Sequence, residues 1–524
     1  MWIWICALVL AGCISEPKNW VMLNHPDDIQ NRDPLQNRVI DILDRYDAEI
    51  RYPTISVTYP YHGAVFPPEI AAPRISWKDS KTESQNWLLT IRFSETSNIL
   101  YALTDKESWE PDRRAWERIK KHSKSSRAEL TVLGLAKGDT LKIVSKGTVG
   151  FSTSTDPVSA SIFYRHVPLP FSTKNFKKMK WCLADIASYQ KPKVVMDKIG
   201  VCASCHIFSS DGKYFSMEMN YGYDGGAQFI KPVEKEIVLT GEDFFSWNSF
   251  PRSGIIPKTR GLFGKMSPSG RYVAASVNEI SLALITRDAD FSQVFFPTYG
   301  ILAYYSVEKQ EIKPLPGADD YNYVQANPNW RHDEKYIVFA RAKTKNEVHD
   351  DIRDVSSKYK NEDIYTLNKK YNIQFDLYTI TFNGGKGGTP KPLKGASRNG
   401  MSNYFARYSP DGRWIVFTRS KSGIMLQPDS ELYIIPSEGG TARRMTCNRK
   451  LFNSWHSWSP NSRWLLFSSK VNSPYTEVFL THIDENGNDS PPVLLRRLSR
   501  PGFAVNVPEF ANIPADAIDA IRVK

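Results

Sequence analysis

The chain has 524 residues and a formal net charge of +12, with 41% apolar and 24% charged residues. That length points to two to four units or one large repeat array, and the ordinary composition excludes wholesale disorder. The Lys and Arg are dispersed, which gives no nucleic-acid footprint. Six Cys exclude a disulfide scaffold, and outside the N-terminus no apolar run nears the roughly 18 residues of a spanning helix.

Met1 to Cys13 is a short apolar stretch ending in Leu10-Ala11-Gly12-Cys13. It is too short to cross a bilayer and reads as a secretory signal over residues 1–13. Its end resembles the lipobox of bacterial lipoproteins. The resemblance implies cleavage before Cys13 and lipidation of its thiol and amino group, which anchors the chain stably. Ile14 occupies the place where Asp would resemble an inner-membrane retention signal, which leans the address toward the outer membrane.

Residues 14–50 read as a polar tether followed by a helix from Pro34 to Ile50, because Leu35, Val39, Ile42, Leu43 and Tyr46 recur at three- and four-residue steps. From Thr54 the period becomes two. Strand-like runs such as Trp87 to Phe93 and Glu129 to Val132, separated by turns, predict a β-sandwich over 51–165, loosely like a fibronectin type III domain. The stretch Trp109 to His122 interrupts it as a short basic helix, with Arg118, Lys120 and Lys121 on a solvated face. Residues 166–206 read as a connector.

From about residue 200 five segments share one plan. They run Phe208 to Tyr214, Met266 to Tyr272, Trp330 to Tyr336, Tyr408 to Trp414 and Trp458 to Trp464. Ser409-Pro410-Asp411-Gly412 is typical: Pro presets φ and Gly supplies φ > 0 for a tight turn. Four of the five run on into an apolar strand. A single such blade cannot bury both faces of its sheet, so the blades close radially into a β-propeller. The repeat resembles the TolB-type, WD-like propeller family over roughly residues 200–505. The resemblance implies five to seven blades, six favoured, with the unmarked blade combining the chain end with strands before residue 200. The fold class is therefore all-β: a propeller over 207–505 preceded by the sandwich, with 506–524 a C-terminal tail.

Cys202-Ala203-Ser204-Cys205-His206 is the sharpest chemical signal. On a helical turn two thiols at i and i+3 share a face, where they add to the two vinyl groups of one haem while the adjacent His meets the iron. The motif resembles the attachment site of c-type cytochromes, which implies one covalent haem c on Cys202 and Cys205 with His206 as proximal ligand. A thiol redox pair and half of a zinc site are the rivals. No second Cys/His pair lies nearby for zinc, and the surroundings lack the βαβ context of a thioredoxin-like dithiol. Met217 is the first candidate for the distal ligand and Met219 the runner-up, since both share a strand face with Phe215. Both Met also suit core packing. A distant His62, His166 or His456, or an open position, remains.

Cys182 and Cys447 either pair or remain two separate buried thiols, the second being the simpler reading. Asp319-Asp320 and Asp429 with Glu431 suit either Ca²⁺ or turn-end acids, again the simpler reading. No hydrolase, zincin or nucleotide-loop motif occurs. Lys343 to Asp363 reads as a solvated insertion in the blade of the third turn. The expectation is an exported, lipid-anchored c-type haem protein of the bacterial cell envelope, on the periplasmic side or outer membrane. It would transfer electrons to a periplasmic redox partner and touch the membrane through Cys13, without nucleic acid. The alternatives are a TolB-like interaction scaffold with a structural or sensory haem, and a haem peroxidase or propeller enzyme.

Overall fold

The computed structural model describes residues 19–23, 34–80, 83–124, 126–169, 173–252, 258–284, 294–343, 366 and 369–524. Cys13 and most of the segment Lys343 to Asp363 lie outside the described residues. The chain divides into two compact units, Met1–His62 with Arg74–Thr153, and Gly63–Pro73 with Ser154–Lys524. Among the described residues no helix is long and apolar enough to cross a membrane.

The first unit is a sandwich. One sheet runs in the order Trp20–Leu23, Thr96–Thr104, Ser84–Phe93, Ala128–Ala136, Ile143–Thr153, and the other in the order Ile55–Tyr59, Ile75–Asp79, Ser108–Trp109. The helix Pro34–Leu43 lays Val39 and Ile42 into a cluster with Leu88, Tyr101 and Leu133. It stops at Leu43 rather than Ile50, because the charged run after it supplies no further apolar stripe. Tyr46 instead stacks on Tyr52 with ring centroids 6.0 Å apart. Trp20–Leu23, expected within a polar tether, is an edge strand paired with Ile99 to Ala102. Arg113–His122 is the expected basic helix. Asp112 caps it by accepting from Ala115 N at 2.7 Å. Lys120, expected on its solvated face, is buried beside Glu117.

The second unit holds six four-stranded antiparallel sheets, one per blade. Blade 2 is Ala203–Phe208, Tyr214–Met219, Ala227–Pro232 and Phe244–Ser246. Blades 3 to 6 begin with the inner strands Lys265–Met266, Tyr323–Trp330, Ser402–Tyr408 and Asn453–Trp458. Blade 1 is composite. Its inner strand is the C-terminal Phe503–Ala511, paired antiparallel with Ser161–Pro168, and Lys180–Ala184 and Lys193–Asp197 complete it. The fold is thus a six-bladed β-propeller closed by the chain's own end. Residues 166–206, expected as a connector, hold two of the four strands of blade 1 and the start of blade 2. Residues 506–524, expected as a tail, supply much of the closing strand and Ala520–Val523, which pairs in parallel with Glu236–Leu239.

The turns repeat one hydrogen-bond plan. In blade 2 Ser209 Oγ donates to Asp211 Oδ1 at 2.7 Å, Lys213 N donates to the same oxygen at 3.1 Å, and Tyr214 N donates to Ser209 Oγ at 2.9 Å. Ser459, Asn461, Arg463 and Trp464 repeat it at 2.6, 3.1 and 2.9 Å. The left-handed position falls on Gly212, Gly270 and Gly412, and on Glu334 and Ser462 in the two turns that lack Gly. The acids at 319, 320, 429 and 431 serve such local structure: Asp319 accepts from Gly317 N, Asp320 from Asn322 N, Asp429 from Lys421 N, and Glu431 pairs with Arg444. Cys182 and Cys447 are both buried and free.

Candidate functional site

The motif at 202–206 opens the inner strand of blade 2. It is extended, not a helical turn, and carries a β-bulge: Ala203 pairs with Met219 and His206 with Met217, so two residues face one. The bulge sorts the motif onto two faces. His206 is fully buried against Phe163, with ring centroids 4.6 Å apart. Its Nε2 faces Phe163 O and its Nδ1 faces Ser204 O, each at 3.3 Å. Burial pushes this imidazole down to about 4, so it is neutral at physiological pH. Met217 and Met219 lie on the same side in the apolar cluster of blades 1 and 2. Cys205 lies on the other face, packed against Phe263 and Phe295 beside the axis of the propeller.

Arg165 ties the two thiols together. It is 1% exposed and its Nη1 donates to Ala203 O at 2.6 Å. Its guanidinium lies beside Cys202 and within electrostatic reach of Cys205. Burial nevertheless raises both thiols, Cys205 to about 12, so neither is a thiolate nucleophile in the folded blade.

As folded, these residues do not fit a single c-type haem. Cys205 and His206 face opposite sides of the sheet, so one macrocycle cannot take a thioether from the first and an iron ligand from the second. Met217 is a cross-strand neighbour of His206 on the same face, not a group across a gap from it, and it serves the core. His166 and His456 are held by carbonyls, through Nε2 to Leu498 O at 2.8 Å and to Val416 O at 2.9 Å. His62 faces Gly150 N and Arg127. A half-open cleft of about 690 Å³ is lined by Met196, Val201, Tyr221 and Ile521 together with the charged Asp197, Lys198, Asp519 and Arg522, and so includes the residue before Cys202. That volume lies within the ~300–1,000 Å³ range of cofactor clefts.

Sequence reasoning missed the axis itself. Cys205, Phe263, Asn327, Phe405 and Trp455 each stand four residues before Ser209, Ser267, Arg331, Ser409 and Ser459. With Val507 of the closing strand they form a ring of one residue per blade around an axial cavity. Phe263, Asn327, Phe405, Trp455 and Val507 all have φ between 49° and 59°, the left-handed bulge geometry that aims the following backbone away from the ladder. The next layer is bridged by Arg407 of blade 5 and Glu509 of blade 1, at 2.7 and 2.8 Å. The constant spacing to the turn was the available signal.

The chain is therefore a six-bladed β-propeller protein with a two-sheet β-domain before it. No family model matches it, and no curated protein matches it. Among solved structures it is similar to TolB from Acinetobacter baumannii, with 13% identity, 74% of this chain and 79% of that chain covered and a TM-score of 0.41. A TolB-type protein from Agrobacterium tumefaciens gives 15%, 64%, 88% and 0.35. Oligogalacturonate lyase from Vibrio parahaemolyticus gives 12%, 55%, 63% and 0.33. These likenesses are of fold.

Proposed function

We propose that this chain is an exported cell-envelope protein, anchored by lipid on Cys13, whose propeller carries one haem c on Cys202 and Cys205. The observation that carries the reading is the complete motif Cys202 to His206 at the head of an inner strand, where the loop leading into it walls a cofactor-sized cleft. The neutral state of His206 also suits an iron ligand. As folded, the strand keeps both thiols protonated and divides Cys205 from His206, so a haem held by this motif would require Cys202, Cys205 and His206 on one face. Haem when bound would supply one-electron chemistry, and the proposed role is electron transfer with a periplasmic redox partner.

An absorption spectrum of the protein made in cells able to attach c-type haem tests this. A low-spin covalent haem supports the electron carrier. A high-spin ferric spectrum moves the role to ligand binding or peroxidase chemistry. Absence of covalent haem overturns the reading.

The second reading is a protein-interaction scaffold of TolB type. The burial of Met217 and Met219 in the apolar cluster of blades 1 and 2 favours it, since both thioethers serve the core. Under it, Cys202→Ala with Cys205→Ala leaves partner binding intact.

A further inference from the structure

The axial cavity has a chemistry of its own. Three cationic residues line it, Arg165, Lys265 and Arg407, and no carboxylate does. Arg407 is satisfied by Glu509 in the layer beyond. Lys265 is nine-tenths buried, which pushes its ammonium below the usual range, and its counter-charges, Glu509 and Glu218, stand outside the lining. The wall itself therefore presents basic groups alone.

Asn327 has unmet hydrogen bonds. It is 4% exposed, and neither Nδ2 nor Oδ1 has a partner among the described residues. Buried amides are almost always satisfied, and an unsatisfied one marks a missing ligand, ion or water. It also sits in the left-handed bulge, at φ 54°. Its place in the ring holds an aromatic residue in blades 3, 5 and 6. Phe263, Phe295, Phe405 and Trp455 supply the apolar remainder of the wall, which keeps the local dielectric low and strengthens charge pairing.

The cavity is small, about 50 Å³, room for roughly four waters at ~10–15 Å³ each. We propose that it is an anion site, taking a carboxylate or inorganic oxyanion of a few heavy atoms between Lys265 and Asn327, inside the aromatic ring. Its chemistry differs from haem attachment, although Cys205 borders it.

The test uses the full-length protein and ¹³C-formate as the probe, with sodium citrate at equal ionic strength as the control. Covalent haem content is measured on the same sample, so that the two proposals are scored separately. We expect saturable line broadening of formate and a saturable rise in melting temperature, neither of which citrate produces. We expect Lys265→Met to weaken formate binding at least tenfold and Asn327→Leu to weaken it severalfold, with circular dichroism confirming the β fold of each. Met matches Lys in length and removes a buried charge, so Lys265→Met is expected to fold. Equal effects of formate and citrate on the wild-type protein overturn the proposal, and so does unchanged formate affinity in folded Lys265→Met.

Discussion

Arg407 in blade 5 and Glu509 in the closing strand of blade 1 are joined side chain to side chain, with Arg407 Nη1 donating to both carboxylate oxygens. Their side chains are 14% and 8% exposed. The pair spans blade 6, so it links the strand that completes the ring to a blade two places away. The neighbouring Arg407 and Lys265 hold the Glu509 carboxyl below its usual range despite its burial.

Breaking this pair from one side strands a buried charge. Arg407→Met is expected to destabilise the propeller by about 3–5 kcal/mol, while Arg407→Met with Glu509→Leu recovers most of the loss. Urea denaturation of the single and double variants measures both. Equal losses in the two variants would contradict the ion-pair account.

Glu279 sets a pH dependence. Burial pushes its carboxyl up to about 7, although Thr259 Oγ1 and Arg260 N donate to it at 2.9 and 2.6 Å. The folded state thus holds this proton more tightly than the unfolded chain, whose Glu titrates near 4.5. Its contribution to stability is full below pH 4.5 and is lost as pH rises through about 7. Glu279→Gln is expected to melt close to wild type at pH 5 and above it at pH 8.5. A constant difference between the two pH values would contradict the assignment.

Two glycines separate strain from crowding. Both Gly212 and Gly222 have positive φ, at +72° and +57°. A Cβ on Gly212 would stand 2.2 Å from Asn512 O, just past the closing strand, whereas one on Gly222 meets nothing within 4 Å. Gly222→Ala is expected to cost about 1 kcal/mol of left-handed strain. Gly212→Ala is expected to cost clearly more and to loosen the Asn512 Nδ2 to Ser210 O bond of 2.9 Å. Thermal melts with hydrogen exchange at residues 503–512 read both effects.

Much of the fold was legible because each turn announces itself. Polar side chains at fixed offsets, Ser209 and Asp211 in blade 2 and Ser459 and Asn461 in blade 6, satisfy the same backbone groups, so the repeat survives in sequence even where Arg331 replaces Ser. The composite blade was foreshadowed by the count of five turns in a six-bladed ring. What escaped was anything set by distant pairing. Trp20–Leu23 looks polar in its flanks and becomes a strand only beside Thr96–Thr104. Residues 161–197 carry no turn signature, because their inner strand comes from residues 503–511 far along the chain. The motif at 202–206 was read as a helical turn from its chemistry, but the strand that follows fixes its geometry, and the bulge divides Cys205 from His206. The axial ring was equally hidden, since a Cys, an Asn, a Val and three aromatics share a position but no residue type.

The closing strand carries a further expectation. Deleting Phe503–Lys524 removes the inner strand of blade 1, Glu509, and the parallel partner of Glu236–Leu239. The truncated chain is expected to lose its cooperative propeller transition and aggregate through the exposed edge of Ser161–Pro168. A soluble, cooperatively melting truncation would contradict closure by this strand.

The most direct measurement is mass spectrometry of the peptide spanning Cys202 to His206, from protein made in cells that attach c-type haem. The expected result is one haem bound through two thioethers at Cys202 and Cys205, and none on the Cys202→Ala, Cys205→Ala variant. Two unmodified thiols in that peptide, from protein exported and lipidated at Cys13, would contradict the haem account and leave the propeller as a scaffold.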